Sequence, residues 1–231
     1  MRRITEKILN YFQPKPKIVT SVLKNNLTYL SAEALNDLYK QVRQIEQEKM
    51  EGILIEAGCA LGGSAIIIAS AKNRSRPFFI YDVFGMIPPP SEKDGPDVKK
   101  RYQIITSGKS KGIDGNKYYG YEDDLYNKVI SNFKKYDILI EEKNIQIIKG
   151  LFENVLHCNQ PVALAHLDGD WYDSVMICLE RITPYLITNG TLIIDDYYCW
   201  SGCKRAVDDF FRNRRNEFMF KKKARLHVIK K

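Results

Sequence analysis

From residue 53 onward, short, largely apolar runs alternate with longer stretches whose apolar positions recur at helical spacing. Ile53-Leu54-Ile55-Glu56-Ala57 reads as a first buried strand, 77–82 as a second, 145–149 as a third, 162–167 as a fourth and 191–194 as a fifth. Helices are expected from the glycine-rich turn after the first strand through Ala71, over 174–186 and over 202–212; 218–222 and 225–229 would close the sheet as two short strands. Strand alternating with helix is the pattern of a sheet covered on both faces. The expected fold is therefore α/β and Rossmann-like, with a seven-stranded, mostly parallel sheet.

Two segments stand outside this alternation. Over 31–47, Leu35, Leu38, Val42 and Ile45 lie at helical spacing, which predicts an amphipathic helix packed on the sheet domain or on a partner subunit. The expected organisation is a helical extension over 1–50 and a main domain over 51–231, with a homodimer or higher homo-oligomer in prospect. Between the second and third strands, an insertion at about 85–136 carries Pro88-Pro89-Pro90, Asp94-Gly95-Pro96, a Gly/Lys stretch and Tyr118-Tyr119-Gly120-Tyr121. Long loops in compact domains are usually functional or disordered, and these aromatics point to a mobile lid over a substrate.

Composition narrows the class. A chain of 231 residues that is 44% hydrophobic can bury one sizeable core but not two ordinary enzyme domains. No apolar stretch approaches the roughly 20 residues of a membrane helix, and Met1-Arg2-Arg3-Ile4 leads into polar Thr5-Glu6-Lys7, so a cytoplasmic protein without a membrane partner is expected. The five cysteines form no Cys-x-x-Cys pair, and the three histidines make no zinc set. The net charge of +8 resides wholly in residues 212–231, where nine basic residues face Glu217 alone. A basic face at a sheet edge commonly keeps terminal strands soluble, so nucleic acid is not inferred.

The candidate chemistry lies at the strand ends. Leu167-Asp168-Gly169-Asp170-Trp171-Tyr172 and Ile193-Ile194-Asp195-Asp196-Tyr197 place four carboxylates just beyond two apolar runs. In an open α/β sheet the ligand crevice lies at that end of the strands. Any one Asp could be a helix cap; four together repel unless a cation joins them, which points to a hard divalent ion held by oxygen ligands, with one carboxylate left for proton transfer. Glu56-x-Gly58-x-x-x-Gly62-Gly63 marks a strand-to-helix turn where a ligand can approach backbone amides. Its spacing departs from Gly-x-Gly-x-x-Gly, and Glu56 would repel a pyrophosphate. A zwitterionic amino-acid moiety fits better, with Asp82 placed to accept from ribose hydroxyls; together these favour S-adenosylmethionine over a nicotinamide dinucleotide.

Glu56-x-Gly58-x-x-x-Gly62-Gly63-Ser64, Tyr81-Asp82-Val83-Phe84-Gly85, Lys149-Gly150-Leu151-Phe152, His166-Leu167-Asp168-Gly169-Asp170-Trp171-Tyr172-Asp173-Ser174, Ile194-Asp195-Asp196-Tyr197 and Cys203-Lys204-Arg205-Ala206-Val207-Asp208-Asp209-Phe210 follow one another in the chain. In that order they resemble the motifs of the macrocin O-methyltransferase (TylF-like) family, over about residues 30–215. The resemblance implies a class I, S-adenosylmethionine-dependent enzyme that methylates sugar hydroxyls of natural products with a divalent ion, usually Mg²⁺. It implies that Asp168, Asp195 and Asp196 match the metal ligands and that Asp170 matches the base. Cys59, Ala60 and Leu61 replace the aromatic or basic residues of the family's glycine loop.

The expected cofactor contacts are Glu56, Gly58, Ala60, Gly62, Gly63, Ser64, Asp82, Val83, Phe84, Gly150, Phe152 and Asp168. The expected catalytic residue is Asp170, with Asp168 as the alternative because spacing alone does not separate ligand from base. Trp171 and Tyr172 are expected either beside the acceptor or beneath the following helix, and His166 as a satisfied core histidine or a partner of the acids. The acceptor expected is a sugar or glycoside. The rival readings are a catechol-type phenol O-methyltransferase, a nicotinamide-dependent oxidoreductase and a nucleic-acid-binding module.

Overall fold

The computed structural model describes residues 16–231, so the polar start at Met1 lies outside the described residues. Seven strands form one sheet in the order β3-β2-β1-β4-β5-β7-β6: β1 is Ile53–Ala57, β2 Phe78–Asp82, β3 Ile145–Lys149, β4 Val162–Leu167, β5 Leu186–Ile194, β6 Phe218–Lys222 and β7 Leu226–Lys230. Strands β1 to β5 run parallel, β7 pairs antiparallel with β5, and β6 pairs antiparallel with β7. The seven-stranded, mostly parallel α/β sheet expected from the sequence is thus the observed one. Strand β5 begins earlier than its apolar run suggested, because Ile187 to Asn189 continue the strand as partly exposed residues past an irregularity opposite Val162.

The eight α-helices of the described residues are α1 Lys17–Lys24, α2 Ala32–Gln47, α3 Gly63–Ala71, α4 Pro96–Thr106, α5 Leu125–Lys135, α6 Phe152–Val155, α7 Tyr172–Ile182 and α8 Ser201–Phe211. One core, on the face of α1, α2, α3 and α5, holds Leu54, Ile66, Phe78 and Phe133; the other, under α7 and α8, holds Ile55, Ala165, Val175 and Phe211. Ser31 caps α2 by accepting from the amide of Ala34, and Leu35, Leu38, Val42 and Ile45 are all buried in the first core. The apolar stripe of α2 is therefore spent within this chain.

The insertion is not a long loop. Pro96, a turn signal in the sequence, occupies the first turn of α4, where a missing amide costs nothing. Asp124 caps α5, and Leu125, Val129 and Phe133 drive that helix into the first core. What covers the sheet end is the segment from Ile87 to Tyr121, whose Ile87, Val98, Ile105 and Tyr118 form a small core with Trp171 from the sheet domain.

This cover is pinned to the sheet domain by two borrowed caps. Neither α7 nor α8 has a side-chain cap from its own N-cap residue. Asp94 Oδ1 accepts from the Tyr172 amide at 2.9 Å, and Asp97 Oδ2 from the Ser201 amide at 2.9 Å. Gly202 lets the first contact form, since a Cβ there would overlap the Asp94 carboxylate. Asp94→Ala is expected to cost about 1 kcal/mol, the usual value of a lost cap, seen as a fall in Tm of about 2–4 °C in thermal denaturation.

Edge strand β6 carries part of the basic surplus. Arg214 and Arg215 pair with Glu217 and Asp208, while Lys221 and Lys222 are exposed on the strand. Among the described residues no helix is long and apolar enough to cross a membrane.

Candidate functional site

The strand order reverses between β1 and β4: β2 and β3 lie beyond β1, and β5 lies beyond β4. Such a switch point opens a crevice at the carboxyl ends. Here Ala57, Leu167 and Ile194 are register partners, so β1, β4 and β5 end on one rung. The next amides continue the ladder, Asp168 N donating to Ala57 O at 2.8 Å and Asp195 N to Leu167 O at 2.9 Å. Gly58, Asp168 and Asp195 therefore stand side by side, at the spacing of neighbouring strands.

A cavity of about 250 Å³ opens there. Of the residues expected to hold a cofactor, Gly58, Ala60, Ser64, Asp82 and Val83 line one half, with Gly150 and Phe152 from the end of β3. Asp168, Asp170, Asp195 and Asp196 line the other. Glu56, Gly62, Gly63 and Phe84 stand behind the wall: Glu56 is fully buried, Gly63 N donates to Leu27 O at 2.9 Å, and the Phe84 ring packs edge-on against Tyr126. Of the two aromatics after Asp170, Trp171 lines the cavity and donates from Nε1 to Pro88 O at 3.0 Å, whereas Tyr172 is buried with its hydroxyl on Asp209.

Asp82 does something that strand-end logic did not anticipate. Its Oδ2 accepts from the amides of Cys59 and Ala60 at 2.8 and 3.1 Å, and its Oδ1 from Phe84 at 2.6 Å. It clasps the glycine loop, and only the remaining lone pairs are free for a ribose. The clasped loop is strained: Ala60 and Phe84 both have positive φ, at 45° and 48°. Asp170 shares this left-handed conformation, at 53°.

Asp168, Asp195 and Asp196 each offer an oxygen, and these oxygens lie within 4.8 Å of one another. Burial and the charges of Asp195, Asp196 and Asp170 push Asp168 well above the usual carboxylate range; burial, with Asp196 and Asp195, does the same to Asp170. Asp196 is pushed up to about 7, first by burial and then by Asp195, and its Oδ2 is buried without a partner. Asp195 alone is held low, since His166 and Arg225 outweigh its burial. Arg225 Nε donates to Asp195 Oδ1 at 2.6 Å. An all-oxygen, mutually repelling set with an unsatisfied atom fits a hard divalent cation.

Residues absent from the sequence reading complete the cavity. Thr28, Tyr29 and Leu30 enter from the link between α1 and α2, and Arg101, Ile105, Tyr118 and Tyr119 from the cover. Helix α4, hidden behind a proline turn signal, carries Arg101 and Ile105. Arg225 was legible only as part of a basic tail, because its place beside Asp195 depends on the Ile194–Leu226 register of the hairpin.

The family model described as macrocin-O-methyltransferase (TylF) matches residues 23–220. The chain belongs to this family. As a TylF-family member it is an O-methyltransferase, which favours methyl transfer over the nicotinamide and nucleic-acid alternatives. It is 26% identical over 192 residues to demethyldecarbamoylnovobiocin O-methyltransferase of Streptomyces niveus, spanning 80% of this chain and 68% of that one. A second relative, 8-demethyl-8-(2,3-dimethoxy-alpha-L-rhamnosyl)-tetracenomycin-C 4'-O-methyltransferase of Streptomyces olivaceus, is 26% identical over 190 residues, 79% of this chain and 67% of its own. Among solved structures, the O-methyltransferase NovP superposes with a TM-score of 0.73 at 23% identity, covering 89% of this chain and 81% of NovP. The calicheamicin methyltransferase CalS11 superposes with a TM-score of 0.61 at 18% identity, covering 99% and 90%. These superpositions show that the TylF-family chain has the Rossmann-like class I methyltransferase fold.

Proposed function

We propose that this O-methyltransferase takes its methyl group from S-adenosylmethionine and places it on a hydroxyl of a sugar or glycosylated natural product, assisted by a divalent cation. The observation that carries the reading is the convergence of oxygens of Asp168, Asp195 and Asp196 within 4.8 Å of one another at the strand ends, with Asp170 on the same cavity. The Streptomyces olivaceus relative, whose substrate is a rhamnosyl compound by name, supports the acceptor class.

The donor half is assigned to the clasped loop and the end of β3. Glu56 Oε2, buried without a partner just behind the wall formed by Gly58 and Ser64, is assigned to the donor's ammonium group, which the glycine loop must admit to reach it. The amide of Ser64, in the first turn of α3 and on the cavity wall, suits its carboxylate. Phe152 and Gly150 suit the adenine, where an aromatic face adds contact. The donor's sulfonium supplies an activated methyl, so in-line placement provides much of the rate.

The acceptor half is assigned to the acids and the cover. An alkyl hydroxyl is a weak nucleophile at neutral pH. Asp168, Asp195 and Asp196 would hold Mg²⁺ or another hard divalent cation, which supplies charge stabilisation to a developing alkoxide. Asp170 accepts the hydroxyl proton, its proton affinity raised by burial and by the neighbouring Asp196 and Asp195. Trp171, Tyr118 and Tyr119 exclude water and offer rings for the acceptor to lie against.

Calorimetric titration with S-adenosylhomocysteine, with and without Mg²⁺, tests the donor site; methyl transfer to a panel of glycosides, with catechols beside them, then tests the acceptor class. Absence of binding in both titrations overturns the reading, and turnover of catechols alone overturns the acceptor assignment.

The cation is expected to stabilise the fold in a pH-dependent way. A carboxyl whose pKa is higher in the folded chain contributes stability below its unfolded value and loses it as pH rises through the folded one, a window from 3.8 to about 7 for Asp196. A cation competes with those protons, so its benefit grows across that window. At Mg²⁺ about 100-fold above Kd, the gain is about 2.7 kcal/mol, or roughly 5–10 °C in Tm. Thermal denaturation should show a larger gain at about pH 8 than at about pH 5; an equal gain at both overturns the assignment of Asp196.

A further inference from the structure

We propose that His166 is a positioning residue that links the two halves of the site, so that methyl donor and cation each strengthen the binding of the other. The inference rests on the reading of Glu56 as the ammonium acceptor and Asp195 as a cation ligand. It goes beyond that reading in assigning a function to a side chain that touches neither ligand.

His166 lies within β4, fully buried, with Glu56 as its register partner on β1 and Ile193 on β5. Register partners in a parallel sheet share a face, which places the imidazole beside Glu56 and below Asp195, two residues beyond Ile193. Its Nδ1 is 3.1 Å from Glu56 Oε1, and its Nε2 is 3.5 Å from Asp195 Oδ1. A buried imidazole with an acid at each nitrogen is more than a packed core residue.

The bridge is incomplete in a way that suggests its use. The Nδ1 contact is of hydrogen-bond length, whereas Nε2 has no hydrogen-bond partner and stops just short of Asp195. The second oxygen of Glu56 is also buried without a partner. Each acid thus has one oxygen turned to the ring; Asp195 also faces the cavity, and the second oxygen of Glu56 lies unpartnered just behind its wall. A donor ammonium on Glu56 fixes that carboxylate and, through it, the ring. The cation then meets an Asp195 whose neighbour is already ordered, and pays less to order it. The converse holds by reciprocity.

Arg225 provides the control. It holds the same Asp195 oxygen but is not bonded to Glu56, so it orders one half without reaching the other.

The test is the Kd of Mn²⁺ with and without saturating S-adenosylhomocysteine, and that of S-adenosylhomocysteine with and without Mn²⁺, by calorimetry. S-Adenosylhomocysteine lacks the sulfonium charge, which removes direct repulsion between donor and cation. The native enzyme is expected to show tightening of about fivefold or more, equal in both directions. His166→Asn keeps an amide near the Glu56 end, and His166→Gln extends one toward Asp195. Each is expected to bind both ligands singly while the tightening falls to within about twofold of none. Arg225→Met is expected to retain it. Binding of both ligands to the native enzyme without mutual tightening overturns this inference alone, and needs no variant to fold. Tightening that persists in both His166 variants also overturns it. Failure of either ligand to bind the native enzyme overturns the site reading itself, and the inference with it.

Discussion

Asp170→Asn is expected to lower kcat by about 10²- to 10⁴-fold, the range a positioned proton acceptor contributes, with S-adenosylhomocysteine and Mn²⁺ affinities within about twofold of native. Asn keeps the size of Asp and tolerates the left-handed backbone at this position, so the loop is not disturbed. Asp168→Ala and Asp196→Ala should also abolish metal-dependent turnover, but by a different route: Mn²⁺ affinity is lost while the donor still binds. Single-turnover methyl transfer and calorimetry on the same preparations separate the two outcomes. Unchanged kcat in Asp170→Asn would return the role of base to Asp168, and full activity in either of the other variants would remove the cation from the mechanism.

Gly58→Ala is expected to be the most damaging single methyl group in the chain. Gly58 has φ +89°, where a side chain is strained, and a Cβ built there would overlap the carbonyl oxygen of Asp168. That carbonyl belongs to backbone, which has no rotamer in which to retreat. Strain and overpacking together are expected to cost about 4 kcal/mol, a fall in Tm on the order of 10 °C, measured by urea and thermal denaturation. Because the collision pushes β1 and β4 apart where donor loop and acid cluster meet, affinities for S-adenosylhomocysteine and Mn²⁺ should fall together. A stable variant that has lost only one of them would show that the two halves do not share this contact.

The sheet was legible because its central strands are buried on both faces and so read as near-continuous apolar runs, interrupted only by Glu56 in Ile53 to Ala57 and by His166 in Val162 to Leu167. The acid cluster was legible because strand ends that share a register put their next residues together, and Asp168 and Asp195 are those residues. What the sequence hid was hidden for identifiable reasons. Pro96 punctuates like a loop residue but opens a helix, which concealed Arg101 and Ile105. Asp82 follows a strand as a ribose-binding acid should, yet three backbone amides hold its carboxylate, a fact set by how the glycine loop folds back. Arg225 and Thr28 reach the site through hairpin register and a link between helices, and neither leaves a periodic trace. The stripe of α2 indicated burial but not against what; its residues Leu35, Leu38, Val42 and Ile45 pack within the chain's own core.

The borrowed caps bear on how such enzymes diversify. Asp94 and Asp97 belong to the segment that covers the cavity, yet the helices they cap follow β4 and β5 and belong to the sheet domain. A recombination that exchanged only this segment for a relative's would leave α7 and α8 with bare amides unless the incoming piece carried acids at both places. Acceptor preference is therefore heritable as a module only together with its two fastenings, and chimeras built by grafting the cover should be cut outside residues 94–97.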